Sequence, residues 1–178
     1  MIEIDPSIPN AGWFDYQNFY DKVVQEMPNG GTFVEIGTYH GRSAIYLALK
    51  MLESSKRFRI ITLENNWLNI NSDNPEVVPT SKDKIISNFI KCGVERFVDL
   101  IMNDSLKINH LTDVDWVFLD CTIDYEPQVK HIKHWLPKIK KGGIISGHDY
   151  ELFEGVNRAV NHVFHEVSNM GACWYVRV

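Results

Sequence analysis

Apolar positions change period several times along the chain, and those changes mark out helices alternating with strands. In residues 13–27, Phe19, Tyr20, Val23, Val24 and Met27 fall on one helical face, with Asp15, Asp21, Lys22 and Glu26 elsewhere. Pro28-Asn-Gly-Gly31 stops that helix, and residues 1–12, with Pro6, Pro9 and Gly12, read as an irregular arm before it. Residues 33–36 form a short buried strand, 37–41 a glycine turn, and Ala44, Ile45, Ala48, Leu49 and Leu52 then recur at helical spacing. Further strands are predicted over 58–63, 97–102 and 115–120, the last near-continuously apolar and therefore central. A helix over 81–92 turns Ile85, Ile86, Phe89 and Ile90 inward and stops at Gly93; another over 127–139 turns in Val129, Ile132, Trp135, Leu136 and Ile139. Lys140-Lys-Gly-Gly143 launches a fifth strand, 144–146, which closes at Gly147-His-Asp-Tyr150. Val156, Ala159, Val160, Val163 and Phe164 mark a last helix, and Asn169-Met-Gly171 folds the strand 174–178 into a terminal hairpin. The polar stretch 68–80 is either a lid or acceptor-site wall, or a plain surface excursion.

This alternation predicts a doubly wound α/β sheet that binds its ligand at the carboxyl ends of its strands. Glu35, Glu64, Asp104, Asp120 and Asp149 all fall at such ends, a convergence that outweighs any single motif. At 178 residues one domain is expected over 1–178, with residues 1–30 as its N-terminal arm and helix. Cys92, Cys121 and Cys173 are odd in number and widely spaced, which suits a reduced, cytoplasmic chain without a disulfide framework or zinc site. A net charge of −5 without a basic face argues against nucleic acid, and no apolar run approaches the ~20 residues of a membrane span. The N-terminus lacks the features of a signal peptide. Oligomeric state stays open, a homo-oligomer included.

Which ligand the glycine turn serves follows from its neighbours. A dinucleotide fingerprint needs glycine where Tyr39 and Arg42 stand, and no G-x-x-x-x-G-K-[ST] loop exists to cradle a triphosphate. Glu35, two residues before Gly37, would repel a pyrophosphate but suits an ammonium group. S-adenosylmethionine (SAM) carries an ammonium, and also a carboxylate that amides at a helix start can receive. Phe33 to Ser43 resembles motif I of class I SAM-dependent methyltransferases, which assigns Glu35, Gly37, Thr38, Tyr39, Gly41 and Ser43 to cofactor binding; a generic α/β turn is the alternative. Glu64, or else Asn65, is placed for the ribose diol, Asp104 or Ser105 for the adenine, and Asp120 points into the same crevice. Asp120 and Asp149, with His148, can hold a hard divalent cation, for which magnesium fits better than zinc. Such an ion would lower the pKa of a hydroxyl and align it with a methyl group. His131 and His134, three apart, read as a solvated helical face.

Further matching segments stand in family order: Val117-Phe-Leu-Asp120, Tyr125-Glu126, Trp135-Leu-Pro-Lys138, Gly142-Gly-Ile-Ile-Ser-Gly-His-Asp-Tyr150 and Gly155-Val-Asn-Arg-Ala-Val160. With these the sequence resembles a small stand-alone class I methyltransferase of the "methyltransferase domain 24" group. It is also similar to metal-dependent sugar O-methyltransferases of macrolide and rhamnosyl tailoring. The resemblance implies a Rossmann-like sheet, mostly parallel, with a C-terminal antiparallel hairpin. It implies SAM and Mg2+ as cofactors, a small-molecule acceptor, and a metal site of Asp120, His148 and Asp149. Two positions depart from the pattern. The family's candidate base, a histidine ahead of the Tyr-Glu pair, is replaced by Ile123, which leaves Asp124, His148 or the metal site to take the proton. At the second-strand corner Asn65 stands where an aspartate is common. The expected activity is O-methylation of a small hydroxylated acceptor such as a sugar. The alternatives are a SAM-binding protein made degenerate at Ile123 and, further off, a dinucleotide oxidoreductase.

Overall fold

The computed structural model describes residues 2–9, 14–65 and 77–178. Trp13, and residues 68–76 of the polar stretch, lie outside the described residues. Seven described strands form one sheet: β1 (Thr32–Ile36), β2 (Arg59–Glu64), β3 (Val98–Met102), β4 (Val114–Leu119), β5 (Ile139–Gly147), β6 (Ser168–Met170) and β7 (Cys173–Arg177). Their spatial order is β3-β2-β1-β4-β5-β7-β6. β1 to β5 pair in parallel, while β7 runs antiparallel to both β5 and β6. This is the expected mostly parallel sheet with its antiparallel C-terminal hairpin.

The period-2 alternation of the strands assigns each residue to one of two helical layers. Phe33 of β1, with Trp116 and Phe118 of β4, packs beneath α1 (Gln17–Glu26), α2 (Arg42–Glu53) and α3 (Lys82–Lys91). Val34 and Ile36, with Val117 and Leu119, face α4 (Tyr125–Trp135) and α5 (Glu154–Val163). Burial on both faces explains why β1 and β4 read as unbroken apolar runs. Among the described residues no helix is long and apolar enough to cross a membrane.

The order of the strands reverses between β1 and β4, so a crevice opens above their carboxyl ends. Gly37 N–H donates to Leu63 O at 2.9 Å, and Asp120 N–H to Ile36 O at 2.8 Å. Gly37 sits at φ +91°, and a Cβ there would lie 1.9 Å from the Asp120 carbonyl oxygen. Only glycine lets the two strand ends approach this closely.

Two sequence expectations change. The first helix begins at Gln17, not at residue 13, because Phe14 and Tyr16 are committed to the core: both are buried and pack edge-on against Tyr20. The helix expected to run to Ile139 ends at Trp135 and passes through a 3-10 turn, Leu136–Lys138, since Pro137 has no N–H to continue the ladder. Ile139 instead opens β5 opposite Val114; residues 140–143 then bulge before Ile144 pairs with Trp116.

Candidate active site

The turn after β1 is held from β2. Glu64, ending β2, accepts hydrogen bonds through Oε2 from the backbone N–H of Tyr39 at 2.8 Å and of Thr38 at 3.3 Å. Tyr39 stands at φ +51°, a left-handed conformation uncommon for a bulky residue. Its hydroxyl donates to Val78 O at 2.8 Å, and the His40 ring lies 3.0 Å from the same oxygen. Gly41, also left-handed, is the N-cap of α2, and Ser43 is buried in that helix's first turn. Below the turn Glu35 is fully buried, accepting from the Tyr20 hydroxyl at 2.7 Å and from the Thr62 hydroxyl at 2.5 Å. Burial raises its carboxyl above the usual range against the pull of the hydroxyls of Ser43, Thr62 and Tyr20.

Beside Glu64 opens a cavity of about 420 Å³, lined by Glu64, Asn65, Met102, Asn103, Asp104 and Lys107. Asp104 caps the 3-10 turn Ser105–Lys107 by accepting from Leu106 N–H at 3.0 Å. Ser105 is buried, and its hydroxyl meets His131 Nδ1 at 3.0 Å. His134 turns instead to Ile108 O at 3.0 Å, so the two histidines are half-buried and bonded to the segment after β3 and do not form the solvated face that their spacing suggested.

Across the crevice Asp120, His148 and Asp149 come together, with one donor atom from each lying within 4.8 Å of the others. β4 supplies Asp120 at its end, and β5 supplies the other two. Gly147 lets β5 pass close to Leu119, since a Cβ there would lie 2.5 Å from Leu119 O. His148 N–H then donates to that same oxygen, and Asp149 takes a left-handed φ of +66°. His148 Nδ1 is 3.0 Å from Asp149 Oδ1 and 4.0 Å from Asp120 Oδ1. Burial opposes charge on this imidazole, but the hydrogen bond to Asp149 and the charges of Asp120, Asp149 and Asp15 hold it above the ordinary histidine value. Burial pushes Asp120 up to about 7, with His148 opposing and Asp149 adding to the shift. Cys121, next in sequence, is kept a thiol: burial and the Asp120 carboxylate push its pKa well up.

Asp124 and Ile123 lie apart from this cluster, exposed at the start of α4. Two residues absent from the sequence-derived site belong to it. Asp15 Oδ1 is 2.9 Å from His148 Nε2, and the buried Tyr16 donates its hydroxyl to Asp120 Oδ2 at 2.8 Å. The signal for them was faint: an acid and an aromatic ahead of a helix that neither caps through its side chain.

Comparison with known proteins bears on the family and the fold. Residues 34–150 match the model of the methyltransferase domain family. Among solved structures, the O-methyltransferase NovP is 15% identical with a TM-score of 0.73, covering 90% of this chain and 78% of its own. An O-methyltransferase from Bacillus cereus, solved with S-adenosylhomocysteine (SAH), is 20% identical with a TM-score of 0.62, covering 91% and 80%. CalS11, a TDP-rhamnose 3'-O-methyltransferase of calicheamicin biosynthesis, is 16% identical with a TM-score of 0.61, covering 90% and 77%. No curated protein matches the sequence. These likenesses carry the fold, and the family match over 34–150 carries the class: the chain belongs to the methyltransferase domain family, as a class I SAM-dependent methyltransferase.

Proposed function

We propose that the protein methylates a hydroxyl of a small acceptor, a sugar being the favoured class, with a magnesium-class ion held by Asp120, His148 and Asp149. The observation that carries this reading is the pairing, on either side of one switch point, of a nucleoside-sized cavity with a cluster of two carboxylates and an imidazole. Both groups fit the residues present. The cavity has an acid, Glu64, where a ribose diol needs an acceptor, with Asp104 in its lining for the base, while Ser105 lies outside that lining and meets His131. In the cluster hard oxygen donors predominate and the neighbouring Cys121 stays protonated, a set suited to magnesium and not to a thiolate-bound metal.

Glu64 has a double task in this reading, holding the Thr38–Tyr39 amides while meeting the ribose. The N-terminus of α2, with Gly41 and Ser43, receives the carboxylate of the amino-acid moiety, and Glu35 braces the turn from below through Tyr20 and Thr62. Transfer is an in-line displacement: the acceptor oxygen bonds the methyl carbon as the carbon–sulfur bond breaks, leaving SAH. Ile123 takes no proton, so the hydroxyl proton leaves to a carboxylate oxygen of the cluster of Asp120, His148 and Asp149, from which Asp124 lies apart. When bound, magnesium supplies Lewis-acid polarisation of that hydroxyl. NovP and CalS11 supply the analogy for O-methylation, and CalS11 the one for a sugar.

A second reading, a SAM-binding protein that transfers no methyl, rests on Ile123, which is 45% exposed where the family's base is expected. The discriminating experiment incubates the protein with methyl-labelled SAM, magnesium and a panel of sugar nucleotides and phenols. Label transferred to a hydroxyl supports the first reading. No transfer to any acceptor, alongside tight SAH binding, supports the second.

A further inference from the structure

The cluster of Asp120, His148 and Asp149 is gripped from a direction that the sheet does not supply. Asp15 and Tyr16 are consecutive residues ahead of α1, and each holds one member of it. Both nitrogens of the His148 ring meet carboxylates, Nε2 that of Asp15 at 2.9 Å and Nδ1 that of Asp149 at 3.0 Å. A neutral imidazole has one N–H and one lone pair, and a carboxylate accepts only, so when Nδ1 gives its lone pair to an ion the N–H that remains is the one Asp15 holds. An ion taken on the Nδ1 side, where Asp149 Oδ1 and Asp120 Oδ1 lie, then finds the remaining proton on Nε2, 2.9 Å from Asp15 Oδ1. Tyr16 acts on the other wall. Its phenol, which burial and the Asp120 and Glu35 charges keep protonated, donates to Asp120 Oδ2 and leaves Oδ1 towards His148. The Tyr16 ring also packs on the His148 ring, with centroids 4.7 Å apart. Neither side chain caps α1: Tyr16 is its N-cap residue, but only its backbone carbonyl serves the helix, accepting from Tyr20 N–H at 3.2 Å.

We propose that Asp15 and Tyr16 are positioning residues of the metal site, Asp15 fixing the His148 tautomer and Tyr16 the Asp120 rotamer, so that the N-terminal arm sets the affinity for the ion. This rests on the reading that the cluster binds a magnesium-class ion. Histidines that ligate metals generally donate their other ring N–H to such a partner, and its loss typically weakens metal binding by about 10–100-fold.

The test is a titration of the full chain with Mn2+, followed by the electron paramagnetic resonance of the free ion. It compares wild type, Asp15→Ala, Asp15→Asn and Tyr16→Phe, with SAH affinity and metal-free melting measured in parallel. Asp15 is 59% exposed and Tyr16→Phe keeps the buried ring, so both folds should persist. Expected is a loss of Mn2+ affinity of about 10–100-fold in Asp15→Ala, with Tyr16→Phe weakened in the same direction. Asp15→Asn falls between, its amide oxygen still accepting the Nε2 proton without the charge, while SAH affinity and melting stay at wild-type values. Wild-type Mn2+ affinity in Asp15→Ala and Tyr16→Phe overturns the proposal and leaves the metal reading standing. Parallel losses of Mn2+ binding, SAH binding and melting temperature also overturn it, because they mark a structural role. A wild type that binds no Mn2+ overturns both readings together.

Discussion

Replacing Gly37 by alanine should couple a loss of stability to a loss of the site. The new Cβ would lie 1.9 Å from the Asp120 carbonyl oxygen and 2.7 Å from its carbon, both backbone atoms without a rotamer to escape into. Holding an L-residue at φ +91° adds a left-handed penalty of ~1–2 kcal/mol. Overpacking against fixed backbone adds ~1–3 kcal/mol. The sum, ~2–5 kcal/mol, is a large share of the ~5–15 kcal/mol that holds a domain folded. At ~2–4 °C per kcal/mol for a chain of this size, melting should fall by ~4–20 °C. Relief of the clash draws Asp120 away from β1, lengthening its N–H bond to Ile36 O and spoiling its approach to Tyr16 and His148. Mn2+ affinity should therefore fall in the fraction that remains folded. Urea unfolding with an unchanged slope, together with Mn2+ titration, reads both effects. A variant with the wild-type midpoint and wild-type Mn2+ affinity would refute the claim that this contact sets the geometry of the switch point.

Three other substitutions probe single residues. Glu64→Ala removes an ionised acceptor of two amides and, in the proposed function, of the ribose; at ~1.5–3 kcal/mol, SAH affinity should fall by roughly 10- to 100-fold in calorimetry, and an unchanged affinity would place the ribose elsewhere. Because the folded carboxyl of Glu35 lies above its ordinary value of 4.5, the folded state binds the extra proton and wild-type stability is lost as pH rises from about 4.5 through that raised value. Relative to wild type, Glu35→Gln should therefore gain stability across the same window, and a pH-independent difference in urea midpoints would contradict the buried-acid assignment. Ile123→His should raise turnover with SAM by up to the ~10²–10⁴-fold typical of general base catalysis and add a histidine limb to the pH profile, whereas equal turnover in both proteins would show that no base acts from this position.

Much of this architecture was legible because parallel strands reveal themselves by composition and their ends by charge. Glu64, Asp120 and Asp149 each follow an apolar run, so their convergence at one sheet edge could be read from spacing alone. What the spacing left out is tertiary. Asp15 and Tyr16 read as helical positions because periodicity extended the first helix back to residue 13, and nothing local signals a hydrogen bond to a residue more than a hundred positions away. Ile139 matched the helical period by coincidence, and the missing N–H of Pro137 ended the helix before it. Glu35 was assigned to an ammonium group on charge, while the hydroxyls of Tyr20 and Thr62, which take up its oxygens, come from separate elements. Tyr39 counted against a dinucleotide fingerprint, yet it takes the left-handed turn expected of glycine, with Glu64 receiving its amide.

The central claim is that the crevice above β1 and β4 binds SAM beside a metal site. Calorimetric titration of the wild-type chain with SAH, in the presence and absence of magnesium and with NADH as the comparison, tests it most directly. The account predicts saturable binding of one SAH per chain and no heat with NADH. Binding of NADH with no heat from SAH would contradict it.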